Sequence, residues 1–269
     1  MCGRYATARA RQELLDEFRI EVDETVADDG RDLLQPDYNA APTKDVPAVL
    51  VRPPHGHGHG GQGPGAQDTP EEALRTLRMV RWGLVPSWAK DPGIGNRMIN
   101  ARVETLAEKP AYRRAFARRR CLLPADGYYE WYKGEDGKKQ PFFIRPDDGG
   151  VLPMAGLYEL WKSPEGEWLF TCTVITAQAA DELGHIHDRM PMTVTDPDAW
   201  LDPARTDTAA AGRLLVPAMS RRLEAYPVGK EVGNVRSSGP QLIRPIAEPG
   251  VPAGDASDDP DPAEGDTLF

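Results

Sequence analysis

The chain has 269 residues, of which 40% are hydrophobic, and a net charge of −10. That length suits one large domain or two small ones with a real core. No run of about 18 apolar residues occurs, so no membrane-spanning helix is expected, and the N-terminus lacks the basic and apolar regions of a secretory signal. Three cysteines, Cys2, Cys121 and Cys172, leave an odd count with no dense spacing. They argue against a disulfide framework and for a reducing cytoplasm.

The acidity is unevenly spread. Residues 247–269 hold seven acids and no base, and without those seven charges the balance falls to −3. Residues 97–120 run the other way, with eight bases against Glu104 and Glu108. A locally basic face on an acidic protein can still bind phosphate.

Taken in order, Cys2 to Ala6 reads as a short opening strand. Thr7 is expected to cap a helix carrying Leu14, Leu15 and Phe18 on one face. Residues 21–37 are acidic, poorly patterned and read as a surface loop. Asp37 to Thr43 has turn chemistry and leads into an apolar strand over Val46–Val51. Residues 53–70 are of low complexity, with His55, His57 and His59 alternating with glycine, and read as a flexible loop insertion rather than a metal site. The pattern resumes at Leu74 and runs to Arg81-Trp82-Gly83-Leu84-Val85-Pro86-Ser87-Trp88. Pro110 fits the first position of a helix with Tyr112 and Phe116 facing inward and arginines on its outer side. Strands are expected over Cys121–Pro124, Gly127–Lys133, Phe142–Arg145, Val151–Trp161 and Trp168–Thr176, with Asp136-Gly137 as a hairpin turn. A helical stretch at 178–183 precedes His185-Ile186-His187-Asp188-Arg189. Short helices near 197–202 and 207–214 and strands at 215–218 and 223–228 follow. The result is an α+β domain over residues 2–246, mainly antiparallel, with helices at its margins and a disordered acidic tail over 247–269. The sequence carries no Walker loop, dinucleotide-binding glycine pattern, Cys-pair zinc site or Gly-x-Ser-x-Gly elbow, so no cofactor and no metal is expected.

Cys2 is the residue with distinctive chemistry. Once nothing precedes it, it carries an amine titrating near ~8 and a thiol near ~8.5 on adjacent carbons. Such a 1,2-aminothiol can attack an acyl carbon, or condense with an aldehyde and close a thiazolidine ring.

Six ordered motifs then identify a family. Cys2-Gly3-Arg4-Tyr5, Tyr38 to Thr43, Arg81 to Pro86, Asn100-Ala101-Arg102-Val103-Glu104-Thr105, Asp126 to Trp131 and His187-Asp188-Arg189-Met190-Pro191 resemble those of the SOS-response-associated peptidase (SRAP) family, which includes abasic-site shielding proteins. The resemblance implies a curved or barrel-like sheet and a protein that crosslinks its N-terminal cysteine to abasic sites in single-stranded DNA. It places Cys2, Asn100, Glu130 and His187 at the reacting centre: Glu130 for proton transfer, Asn100 for positioning, and His187 for ring opening or reversal. Arg4, Arg102 and Arg189 would meet backbone phosphates, and Pro42, Trp82 and Trp88 would stack on or wedge bases. A cytoplasmic, nucleoid-associated location follows. The family name also records a peptidase activity that would expose Cys2.

Two other classes fit parts of the chain. An N-terminal cysteine amidohydrolase would use the same nucleophile but gives no role to His187 or Arg189. A non-catalytic single-strand binding module would use only the arginines and tryptophans. The terminal Leu268-Phe269 after the acidic stretch resembles peptides that dock on a replication sliding clamp, or the tip of a single-strand binding protein, either of which would be a partner.

Overall fold

The computed structural model describes residues 2–52, 73–179, 186–220 and 222–246. The histidine–glycine stretch, the acidic tail with its clamp-like end, and most of the helix expected over 178–183 lie outside those residues. The chain begins with strand β1 (Tyr5–Thr7), helix α1 (Arg11–Glu17), and strands β2 (Val22–Glu24), β3 (Asp37–Ala40) and β4 (Asp45–Arg52). Strands β5 (Leu74–Trp82) and β6 (Asn100–Arg102) are separated by a 3-10 turn at Pro92–Arg97, and a second such turn, Val103–Thr105, follows β6. Helix α2 (Arg113–Arg118) leads into β7 (Arg120–Ala125), β8 (Gly127–Lys133), β9 (Lys139–Pro146), β10 (Leu152–Lys162) and β11 (Trp168–Gln178). Strand β12 (Arg189–Val194), helices α3 (Pro197–Leu201) and α4 (Thr208–Gly212), and strands β13 (Leu215–Pro217) and β14 (Leu223–Pro227) follow.

The fold is α+β and mainly antiparallel. Strands β10, β7, β4 and β5 pair in sequence with β11, and β11 also pairs with β5, so five strands close into a barrel. The closing pair is parallel, as are β11–β6 and β2–β5. A second sheet, in the order β14-β9-β8-β1-β3, packs against it.

Alternation along the barrel strands explains both layers. On β10, Met154, Tyr158 and Leu160 join Leu50, Val80, Leu123 and Cys172 in a core shared with Cys2, Tyr5 and Tyr128 of the second sheet. The intervening Ala155 and Leu157 face a separate core with α1, α2, α3 and α4. Four helices cannot fit inside a five-stranded ring, so the helical layer is the outside and the first core fills the interior. Strands buried on both faces read as continuous apolar runs, which is why β10 and β11 were legible from the sequence.

Three expectations are corrected. Residues 21–37 are not wholly loop: β2 runs parallel to β5, and Glu24 pairs with both Arg52 and Arg78. Thr7 ends β1 rather than capping α1. The helix starts after Ala10, whose backbone N–H donates to Glu13 Oε2 at 3.1 Å. The basic helix α2 buries Tyr112 and Phe116 as expected, but it packs in the outer layer, behind the sheet whose inner face holds Cys2. Its arginines are also not one surface. Arg120 is buried and donates to the carbonyls of Phe116, Ala117, Trp200 and Asp202, closing the end of α2, and Arg119 pairs with Glu159.

Candidate active site

Cys2 lies just ahead of β1, which is threaded between β8 and β3, with Tyr5 opposite both Tyr128 and Ala40. Cys2 is fully buried. Burial pushes its thiol far above the ordinary range, and the nearby carboxylate of Glu130 pushes the same way. Glu130 reaches the interior by strand alternation. On β8, Tyr128 and Tyr132 face the barrel core while Tyr129 and Trp131 face a third cluster beyond the second sheet, so Glu130 shares the inward side. It is only 2% exposed. Desolvation raises its carboxyl from 4.5 to about 7, because a charge in an apolar setting loses hydration.

Asn100 arrives from the other direction. Gly83 ends β5 with φ +130°, and a Cβ there would lie 2.6 Å from the carbonyl oxygen of Gly95. A Cβ on Gly95 would meet the Gly83 oxygen at 2.5 Å. Two glycines therefore let the 92–97 turn fold onto the end of β5, where Leu84 N–H donates to Met98 at 3.1 Å. This delivers β6 to β11 with Asn100 opposite Val174. The Asn100 side-chain N–H donates to the Cys2 carbonyl at 2.7 Å. Its Oδ1 is buried without a hydrogen-bond partner among the described residues, and Tyr112 Oη donates to its backbone carbonyl at 3.3 Å.

His187 completes the group from the segment before β12. Its Nε2 is 3.8 Å from Glu130 Oε2, and its Nδ1 accepts from the backbone N–H of Arg189 at 3.0 Å. Burial lowers its pKa, with Asp188 pulling the other way. It is half-buried, its side chain 28% exposed. Cys2, Asn100, Glu130 and His187, spread over the sequence, thus meet at one point. Their side chains offer a buried acceptor, a carboxyl raised to about 7 by burial, and a half-buried imidazole. Among the described residues, no group of three or more His, Cys, Asp or Glu side chains could hold a metal ion.

The residues expected to touch DNA separate into distinct environments. Trp82 is fully buried, donates from its ring N–H to Ile99 O at 2.9 Å and packs edge-on against Tyr5. It is core and has no face open to a base. Trp88, six residues on, is 61% exposed and lines a groove of about 520 Å³ with Lys90, Ile94 and Arg97. Arg102 is exposed and Pro42 half-buried, the latter beside Thr43, which holds φ +74° in its turn. Arg4 is partly buried and donates to Asn39 Oδ1 at 2.6 Å, Val232 O at 2.8 Å and Gly233 O at 3.2 Å. Arg189 is held by Glu104 and Thr176.

Asn39 is a residue to which the sequence assigned no role. Fully buried, it accepts from Arg4 and donates to the carbonyls of Asn234 and Ser237, both at 3.0 Å. It fastens residues 232–237 across the back of β1. An asparagine inside an otherwise apolar strand end was the available signal.

The SOS response associated peptidase (SRAP) family model matches residues 1–235. The abasic site processing protein YoqW of Bacillus subtilis is 36% identical over 245 residues, covering 90% of this chain and 99% of its own. The abasic site processing protein HMCES of Gallus gallus is 34% identical, covering 81% of this chain and 68% of its own. A crystal structure of a Bacteroides thetaiotaomicron protein superposes with a TM-score of 0.73 at 22% identity, over 91% of this chain and all of that one, a likeness of fold. The match of the family model to most of the chain, together with relatives aligned along nearly all of it, establishes that this protein belongs to the SRAP family.

Proposed function

We propose that the protein processes abasic sites in single-stranded DNA by forming a covalent thiazolidine crosslink through Cys2. The observation that carries this reading is the convergence of Cys2, Glu130, Asn100 and His187, in a family whose relatives are named for abasic-site processing. The ring-opened abasic sugar offers an aldehyde. The Cys2 amine adds to it, the resulting carbinolamine hydroxyl leaves as water, and an imine remains. The thiol then adds across the C=N bond, sulfur bonding to carbon while nitrogen gains a proton. The reaction needs Cys2 as the first residue, so whatever precedes it is removed beforehand.

Each group suits one step. With a pKa of about 7, Glu130 is present at neutral pH in both the form that gives a proton to the departing hydroxyl and the form that takes one from the thiol. A thiol held protonated by burial stays out of side reactions until that base acts. Asn100 Oδ1, buried and without a partner among the described residues, is placed to accept from the amine or a sugar hydroxyl. Neutral His187, half-buried beside Glu130, assists sugar ring opening and the reverse reaction through Nε2–H. Trp88 supplies a face for a neighbouring base, and Arg102 a phosphate contact beside the site.

The test is incubation with a single-stranded oligonucleotide containing one abasic site, followed by a denaturing gel and mass spectrometry. The expected product has the summed mass of protein and DNA less one water. No covalent product from protein whose first residue is Cys2 would refute the reading. Release of ammonia from glutamine by the same protein would favour the amidohydrolase class instead.

A further inference from the structure

We propose that Glu104 is a positioning residue for His187, bracing the arm that carries His187 against the arm that carries Asn100. The inference rests on the reading of the site given above. Glu104 lies four residues after Asn100, in the turn that ends β6, and Arg189 lies two residues after His187, at the start of β12. Arg189 Nη1 donates to Glu104 Oε1 at 2.8 Å and Nη2 to Oε2 at 3.2 Å. The same Nη2 donates to Thr176 O at 2.6 Å and approaches Thr176 Oγ1 at 3.2 Å. Thr176 sits on β11, opposite Arg102 of β6 on one side and Pro191 of β12 on the other. One guanidinium therefore joins the three elements that set the spacing between Asn100 and His187. Two parallel hydrogen bonds fix its plane, which a single contact between long side chains would not.

The brace also bears on which ring nitrogen of His187 carries the proton. The backbone N–H of Arg189 donates to Nδ1, which places the neutral ring's proton on Nε2, facing Glu130. Asp188 Oδ1 lies 3.0 Å from the same Nδ1 and favours a proton there. The two neighbours make opposite demands on one nitrogen. With Arg189 clamped, its main-chain N–H keeps its aim and Nε2–H prevails. Without the clamp, the 187–189 turn relaxes toward Asp188, the proton moves to Nδ1, and Nε2 meets Glu130 with no hydrogen to offer.

The experiment uses full-length protein containing 15N-labelled histidine, in long-range proton–nitrogen spectra taken at a pH where the ring is neutral. A His187→Gln sample assigns the signal. Wild-type protein is expected to show His187 with its proton on Nε2. Glu104→Ala should show a mixture with Nδ1–H, and should crosslink abasic single strands about tenfold more slowly with its melting temperature nearly unchanged. Adding Asp188→Asn to Glu104→Ala removes the competitor and should restore Nε2–H. If Glu104→Ala does not fold, Glu104→Ser, polar but too short to reach the guanidinium, carries the same expectation. An unchanged His187 pattern in the folded variant overturns the proposal. The ring is read without DNA, so a wild-type protein that formed no crosslink would strike the proposed function and not this test.

Discussion

Replacing Glu130 by Gln should stabilise the protein at alkaline pH and leave it unaffected at acid pH. The carboxyl titrates at about 7 in the folded protein against 4.5 when free, and one pH unit is worth about 1.36 kcal/mol. Below 4.5 both folded and unfolded chains hold the proton, and burial of the neutral acid costs little. As pH rises from 4.5 to 7 the unfolded chain releases its proton while the folded chain keeps it, so stability falls. Above 7 the loss levels off at roughly 3 kcal/mol. Glutamine has the same shape and no charge, so its variant escapes that loss. Urea unfolding of both proteins at half-unit steps from pH 4.5 to 8.5 measures it. The difference should grow by roughly 3 kcal/mol across the window, with its midpoint between the two pKa values. A flat difference would mean that the carboxyl is not desolvated and would remove the basis for its dual acid–base role. In the crosslinking assay the same variant should lose the rate inflection near pH 7 and react about a hundredfold more slowly.

Cys2→Ala, or any residue retained before Cys2, should abolish the covalent product while binding to intact single strands persists, as read by denaturing gel and by fluorescence anisotropy. The two tryptophans should part company. Trp88→Ala should weaken single-strand affinity by about 1–3 kcal/mol without moving the unfolding midpoint, whereas Trp82→Ala should destabilise the fold by roughly 3–5 kcal/mol. Equal effects on stability would contradict their opposite burial. Arg102→Ala should lower the slope of log affinity against log salt by about one, measured on undamaged DNA. An unchanged slope would remove Arg102 from the phosphate path.

The four residues proposed for the site stand out in the sequence because each sits in a motif, and the chemistry of a residue type survives without coordinates. Their geometry does not. β2, β3 and β6 have three or four residues each, too few to display a period. The barrel is closed by a parallel pairing of β5 with β11, a contact between segments some ninety residues apart that no local pattern announces. Trp82 and Trp88 are the same residue type in one motif neighbourhood, and what distinguishes the core ring from the exposed one is that β5 ends at Trp82 and Trp88 lies in a turn beyond it. The arginine run at 113–120 looked uniform, yet Arg120 is consumed by carbonyls. Glu104 stood in plain view beside Asn100, but its partner lies eighty-five residues downstream.

The fastening of residues 232–237 over β1 by Asn39 and Arg4 sets an order of events during synthesis. The strand behind Cys2 leaves the ribosome first, yet its neighbour β8 emerges more than a hundred residues later and the 232–237 cover later still. At about 5–20 residues per second, β1 waits roughly ten to fifty seconds before its last neighbour is made. During that interval the segment around Cys2 lacks the strands that bury it. After it, Cys2 is fully enclosed. Any processing ahead of Cys2, which the proposed chemistry requires, therefore has its freest access on the growing chain.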